Sequence, residues 1–202
     1  NEYHESIFMQ TVASEMFGVG LSDWQQGVYE RYRSKVEAMD GGARVQATRL
    51  IQAMYDRTQT WFKERGITHV RVYRGAQLPE LDNLPESGDV IGYKDNVLSS
   101  WTVSPAIAEK FVYETPDSGK PYAMFDMVVP VERILGTPFT GYGNSAELEV
   151  VVIGANEPSY AAVRFTGDDL PDRDYFKAMA VKGGAGSGNF GHAGRPGKVG
   201  GS

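Results

Sequence analysis

The chain contains no cysteine, few histidines, no surplus of basic residues and no apolar run approaching the roughly 20 residues that span a bilayer. The missing cysteine rules out a disulfide scaffold, thiol catalysis and thiolate metal sites. It leaves the compartment open, since a delivered toxin and a cytosolic enzyme can both lack it. The three histidines, His4, His69 and His192, are scattered. No His/Asp/Glu spacing resembles a zinc or di-iron site, and none of the three stands as the base of a serine hydrolase. A formal net charge of −6 and a pI near 5.1 argue against a nucleic-acid partner. Clustered Arg31, Arg33 and Lys35 read as the solvated face of a helix. Residues 1–20 lack a basic start followed by a continuous hydrophobic stretch, so neither a secretory signal nor a membrane partner is expected. The start at Asn1 instead of Met suggests a piece cut from something longer. Localisation is otherwise undetermined.

What is present is a globular composition, 41% hydrophobic and 11% aromatic, enough for a real core. A short helix is expected around Ser6 to Phe17. Ser22 and Gln25 have capping-box spacing, and Trp24, Val28, Tyr32, Val36 and Met39 follow at helical intervals until Asp40-Gly41-Gly42. A longer helix from about Ala43 to Arg65 puts Ala47, Leu50, Met54, Thr58 and Trp61 on one stripe, with Gly66 as its stop. The texture changes at Thr68. His69 to Arg74 alternates as a strand, and a loop rich in Pro, Asp and Gly is expected from Gly75 to about Asp89. Val97 to Trp101 is a short strand. Ser104-Pro105 opens a helix with Ile107, Ala108 and Phe111 as its apolar face. Tyr122 to Val129, Glu147 to Ile153 and Tyr160 to Phe165 complete a strand-rich half, so the class is α+β. The last segment, 183–202, holds 9 of the 24 glycines and reads as a flexible tail or linker, with Phe190, His192, Arg195 and Pro196 leaving a short recognition or processing site open.

Three elements carry the candidate chemistry. Glu147 and Glu149 sit one residue apart before a β-branched run, where a strand's two-residue period would aim both carboxylates to one side. Like charges that close repel, and a cation or substrate is the natural reason to keep them. Arg74 closes a strand and is followed by Gly75. A guanidinium there suits a phosphate or carboxylate, and the glycine suits close approach of a ligand to the backbone. Ser100 and Thr102 are hydroxyls at i and i+2 on another strand. Each element alone also reads as ordinary surface or structure.

Together and in this order, Tyr73-Arg74-Gly75, Ser100-Trp101-Thr102, Ala108-Glu109-Lys110-Phe111 and Glu147-Leu148-Glu149 resemble the R-S-E class of ADP-ribosyltransferases. That is the arginine-modifying branch that includes bacterial toxins and vertebrate ecto-enzymes. The resemblance covers about residues 68 to 155, with one departure: Trp101 and Thr102 replace the usual Thr and second Ser. It implies an N-terminal helical lobe packed on two short mixed β-sheets that form a NAD cleft. The catalytic domain would be 1–182, with a helical lobe over about 5–66, a sheet core over about 68–168, and the tail at 183–202.

The same resemblance implies an activity: transfer of ADP-ribose from NAD, as co-substrate, to an arginine of a target protein, with no metal. Arg74, Gly75, Ser100 and Thr102 would hold NAD. Ser100 would also orient Glu149, which would stabilise the charge developing at the anomeric carbon, and Glu147 would orient and deprotonate the acceptor. The loop from Gly136 to Asn144, with Phe139 and Tyr142, resembles an acceptor-recognition loop and reads equally as a plain hairpin connection. Trp101 and Phe111 read as core before they read as nicotinamide neighbours. The helical third and the tail also look like phage head-morphogenesis fusions, which implies a virion-associated or delivered protein and leaves an immunity or phage structural partner open. Two other outcomes fit the same site: a NAD glycohydrolase and a catalytically silent interaction module.

Overall fold

The computed structural model describes residues 3–39, 41–78, 85–114, 122–141 and 143–164. Three helices come first: α1 (Tyr3–Phe17), α2 (Asp23–Glu37) and α3 (Gly41–Glu64). Seven strands and one helix follow: β1 (His69–Gln77), β2 (Val90–Tyr93), β3 (Leu98–Thr102), α4 (Pro105–Glu114), β4 (Tyr122–Pro130), β5 (Ile134–Gly136), β6 (Glu149–Ile153) and β7 (Ser159–Arg164). Helices segregated from an antiparallel sheet make the class α+β. The expected domain end near Lys182 and the tail at 183–202 lie outside the described residues.

Local signals account for the helical lobe. Ser22 accepts a hydrogen bond from the Gln25 N–H while the Gln25 side chain accepts one from the Ser22 N–H, so the capping box forms. Gly66 has φ +63 beyond the end of α3, the left-handed conformation that lets a helix stop. The buried stripe of α3 differs from expectation. Ala47, Ile51, Thr58 and Phe62 are buried, whereas Leu50 is half exposed. Apolar residues at three- and four-residue spacings define overlapping stripes, and the packing of α3 on β5 selects one of them. Trp24, expected in the α2 stripe, is 63% exposed.

The strands form one sheet in the order β2-β7-β4-β1-β3-β6-β5, with every neighbouring pair antiparallel. This corrects the expectation of two mixed sheets, because among the described residues the strands form one sheet and no neighbours run parallel. The sheet is nevertheless nearly divided. β1 and β4 pair over nine residues and β3 and β6 over five, but β1 and β3 meet only at Tyr73↔Thr102. At that seam the two halves are held by side chains more than by a ladder.

Two apolar clusters result. Val72, Trp101, Phe125, Met127, Val129, Val150 and Val152 pack with Phe62 of α3. Ile7, Phe8, Val12 and Ile51 of the helical lobe pack on Val97, Leu135 and Ile153. β6 therefore feeds both clusters, which is why its sequence is apolar at successive positions.

Side-chain amides dock the lobe to β3. The Gln10 carboxamide accepts from Leu98 N–H (2.7 Å) and donates to Leu98 C=O (2.9 Å), taking the place of a neighbouring strand. Gln25 is fully buried, accepting from Val97 N–H (3.2 Å) and donating to Gln10 (2.8 Å). Among the described residues no helix is long and apolar enough to cross a membrane.

Candidate active site

The Glu-x-Glu segment does not enter β6 as a strand. Asn144 caps a single 3₁₀ turn, Ser145–Glu147, by accepting from the Ala146 N–H at 3.0 Å. Leu148 then adopts φ 46, ψ 43, and β6 begins only at Glu149. A left-handed residue between the two glutamates removes the strand alternation that was expected to align them. Tertiary structure brings them together all the same, since both line one cleft. The spacing Asn144…Glu147 is itself a helix-start signal, and it could have marked the turn in advance.

The two carboxylates are held differently. Glu149 Oε1 accepts from Ser100 Oγ, and its Oε2 accepts from the Asn144 N–H at 2.7 Å. Ser100 faces Val151 in the ladder and Thr102 faces Glu149, so Ser100 reaches Glu149 across the diagonal of the β3–β6 pair. The result is a carboxylate with both oxygens tied to fixed donors. Glu147 is held instead by its backbone: its carbonyl accepts from Thr102 Oγ1 (2.8 Å) and its N–H donates to Asn144 C=O (3.2 Å). Among the described residues its carboxylate has no hydrogen-bond or ion-pair partner. Thr102 is buried, and its hydroxyl also accepts from the Ser104 N–H at 3.1 Å, so it is committed to holding the loop. Gly143, at φ +140, completes the turn; a Cβ there would lie 2.6 Å from Glu149 C=O.

The cleft, about 200 Å³, is lined by Tyr73, Arg74 and Gly75 of β1, Ser100, Trp101 and Thr102 of β3, Ala108 and Phe111 of α4, and both glutamates. It therefore sits at the poorly paired seam. The register puts Tyr73, opposite Thr102, on the face that Ser100 and Glu149 share. Arg74 alternates to the other face, opposite Phe125, and its Nη1 pairs with Asp95 Oδ1 at 3.3 Å. Asp95 is almost wholly buried and also accepts from the Trp101 indole N–H at 2.8 Å. Burial pushes its carboxyl up from the ordinary aspartate range, and the Arg74 guanidinium draws it back. Asp95 carries no local signal, because Lys94-Asp95-Asn96 reads as a polar turn until the fold buries it.

Gly75 lines the cleft and also has a packing task. A Cβ on it would meet Ala108 C=O at 2.3 Å and Val112 at 2.9 Å, so it is the point where α4 lies against β1. Trp101 is core, in edge contact with Tyr93. Phe111, expected to be core, is 41% exposed at the cleft wall.

Phe139 lies in the turn Pro138–Thr140, 63% exposed, with one face stacked on Trp61 (ring centroids 5.5 Å apart, planes within 7°). Arg65 lies 4.2 Å from the centre of the Trp61 ring. The turn is anchored by buried hydroxyls: Thr140 Oγ1 accepts from Thr58 Oγ1 and from the Thr137 N–H, each at 3.0 Å. Tyr142 lies outside the described residues. No group of three or more metal-ligating side chains occurs among the described residues. In comparisons with protein-family models, curated proteins and solved structures, nothing matches the chain, which leaves the chemistry of this cleft as the basis for a function.

Proposed function

We propose that the protein transfers ADP-ribose from NAD to an arginine side chain of a target protein, releasing nicotinamide. The observation that carries the reading is the contrast between the two carboxylates in one cleft. Glu149 has both oxygens tied to Ser100 and Asn144, whereas Glu147 has an anchored backbone and a carboxylate with no partner among the described residues. A carboxylate fixed in advance stabilises positive charge developing nearby without reorganising, and such preorganised groups contribute roughly 2.7–4 kcal/mol, by analogy with oxyanion-hole donors.

NAD supplies a glycosidic bond to a good leaving group: nicotinamide departs with the bonding pair, and the acceptor nitrogen forms the new bond to the same carbon. Glu149 is suited to stabilise that carbon. Glu147 is suited to take the proton that the guanidinium must lose, which a free arginine, with a pKa above about 12, does not give up to water at neutral pH. Arg74 lines the cleft from β1, and its side chain, on the opposite face of the strand and paired with Asp95, is still 27% exposed; its guanidinium is the cation we assign to a pyrophosphate oxygen reaching the seam. A cavity of about 200 Å³ is below the roughly 300–1,000 Å³ of a drug-sized ligand site. It would take one end of the dinucleotide, with the remainder across the surface.

The test is transfer of labelled ADP-ribose to an arginine-rich protein, with nicotinamide release followed in parallel. Glu149→Gln should abolish both. Glu147→Gln should abolish transfer while nicotinamide release with water as acceptor survives. A native chain that releases nicotinamide at full rate without labelling any acceptor would make the protein a glycohydrolase. Release that persists in Glu149→Gln would sink both readings.

A further inference from the structure

Asp95 joins the two strands that flank the cleft, from the sheet face opposite Ser100 and Glu149. Its Oδ1 takes Arg74 Nη1 from β1 and its Oδ2 takes the Trp101 indole from β3. Those two strands share a single register pair, Tyr73↔Thr102, so almost no backbone ladder fixes their separation at the cleft. A carboxylate bridging a cation on one strand and an N–H donor on the other supplies the missing constraint.

The segment that presents it is itself rigidly placed. Asn96 Oδ1 accepts from Ser22 Oγ at 2.7 Å, and Val97 and Leu98 donate to Gln25 and Gln10. Asp95 thus stands at the end of a run docked on the helical lobe. Ser100, which fixes Glu149, is the next residue in the chain before Trp101. Ser100 itself is held against Glu149 by the five-residue pairing of β3 with β6, so what Asp95 adds is the placement of β3 relative to β1.

We propose that Asp95 is the positioning residue of this site, holding the Arg74 guanidinium and the Trp101 indole so that β1 and β3 keep the cleft at working width. The proposal deepens the reading given above, since Arg74 matters to catalysis only if it holds the dinucleotide. It also has a part that does not depend on NAD: whether Asp95 restrains Arg74 at all.

The experiment has two arms. In the first, rotation about the Arg74 Cζ–Nε bond is read from ¹³Cζ–¹⁵Nη spectra of the labelled chain. In the native protein it should be slower than that of Arg57, which is exposed on α3. In Asp95→Asn, which keeps the shape and removes the charge, it should speed up about tenfold or more as the charge-assisted bond is lost. Trp101→Phe should leave it slow. Arg74 rotating as freely as Arg57 in the native chain overturns the proposal, even if Asp95→Asn does not fold. So does rotation unchanged by the substitution.

In the second arm, Asp95→Asn should raise KM for NAD about tenfold with kcat within about twofold, because Glu149 keeps its own donors. In an Arg74→Gln background the same substitution should add nothing. A merely structural aspartate would lower the melting temperature and leave KM alone, and equal effects with and without Arg74 would overturn positioning through Arg74. A native chain with slow Arg74 rotation and no response to NAD would retain the restraint by Asp95 and discard the transferase reading, so the two failures are distinguishable.

Discussion

Gly75→Ala separates two accounts of the same residue. If the glycine exists to admit a ligand, an added methyl leaves the fold intact and harms binding. If it exists to seat α4, the methyl strikes the helix. The backbone at Gly75 is not in the left-handed region, so alanine meets no conformational penalty of its own. The obstacle is Ala108 C=O at 2.3 Å, about 1 Å closer than ordinary contact, with the Val112 N–H group at 3.0 Å behind it. A carbonyl in a helix cannot swing aside as a side-chain tip can. Overpacking of this kind costs about 1–3 kcal/mol, offset by the ~0.4–1 kcal/mol that alanine saves in unfolded-chain entropy. The net loss should be about 1–2 kcal/mol, a fall of roughly 2–8 °C in melting temperature for a chain of this size.

Thermal and urea unfolding both serve as the assay. Gly27→Ala provides the control: it lies inside α2 with open space around the added methyl and should gain close to 1 kcal/mol. Activity should fall in Gly75→Ala as well, because α4 carries Ala108 and Phe111 of the cleft wall, and an ångström of displacement there can cost on the order of 10²-fold. A melting temperature unchanged or raised in Gly75→Ala, with Gly27→Ala behaving as expected, would refute the packing argument.

Thr140→Val leaves the Thr58 hydroxyl and the Thr137 N–H buried without their acceptor and should cost about 1–3 kcal/mol in urea unfolding. In the same variant, transfer to a protein acceptor should fall more than nicotinamide release, because the Phe139 turn loosens while Ser100 and Glu149 do not. Gln10→Leu removes the amide that stands in for a strand beside Leu98. Hydrogen exchange at the Leu98 amide should accelerate by at least about tenfold, ahead of global unfolding. The pH dependence of stability should carry the sign of Asp95. Its folded pKa is raised, so the folded state holds that proton more tightly than the unfolded chain, whose value is about 3.9. Its contribution is present below that value and is lost as pH rises through the folded pKa. The melting temperature of the native chain minus that of Asp95→Asn should therefore decline from pH 4 upward, and a difference that grows with pH would contradict the shift.

Much of the local structure was legible because its causes are local. A serine three residues before a glutamine, a glycine after an amphipathic run and Ser-Pro ahead of an apolar face act within one turn of chain, and α2, α3 and α4 begin or end at them. The alternating stretches that became β1, β3, β4 and β7 were equally readable, as were the residues that meet in the cleft: Arg74, Gly75, Ser100, Thr102, Glu147 and Glu149. Short β2 and β5 were not, since four and three residues carry no period and gain their strand character from β7 and β6.

What only the tertiary structure decided concerns partners distant in sequence. The left-handed Leu148 turned an apparent strand entrance into a cap followed by a strand. The seam between β1 and β3 placed Arg74 against Asp95, 21 residues away, a polar-turn residue that burial converts into a charge partner. The crossing of α4 gave Gly75 its reason. Composition and spacing determined which side chains this chain could bring to a cleft. Which of them are pinned and which merely hold the wall depended on long-range packing, because a hydrogen bond to a backbone group or a clash with a helix exists only once both segments are in place.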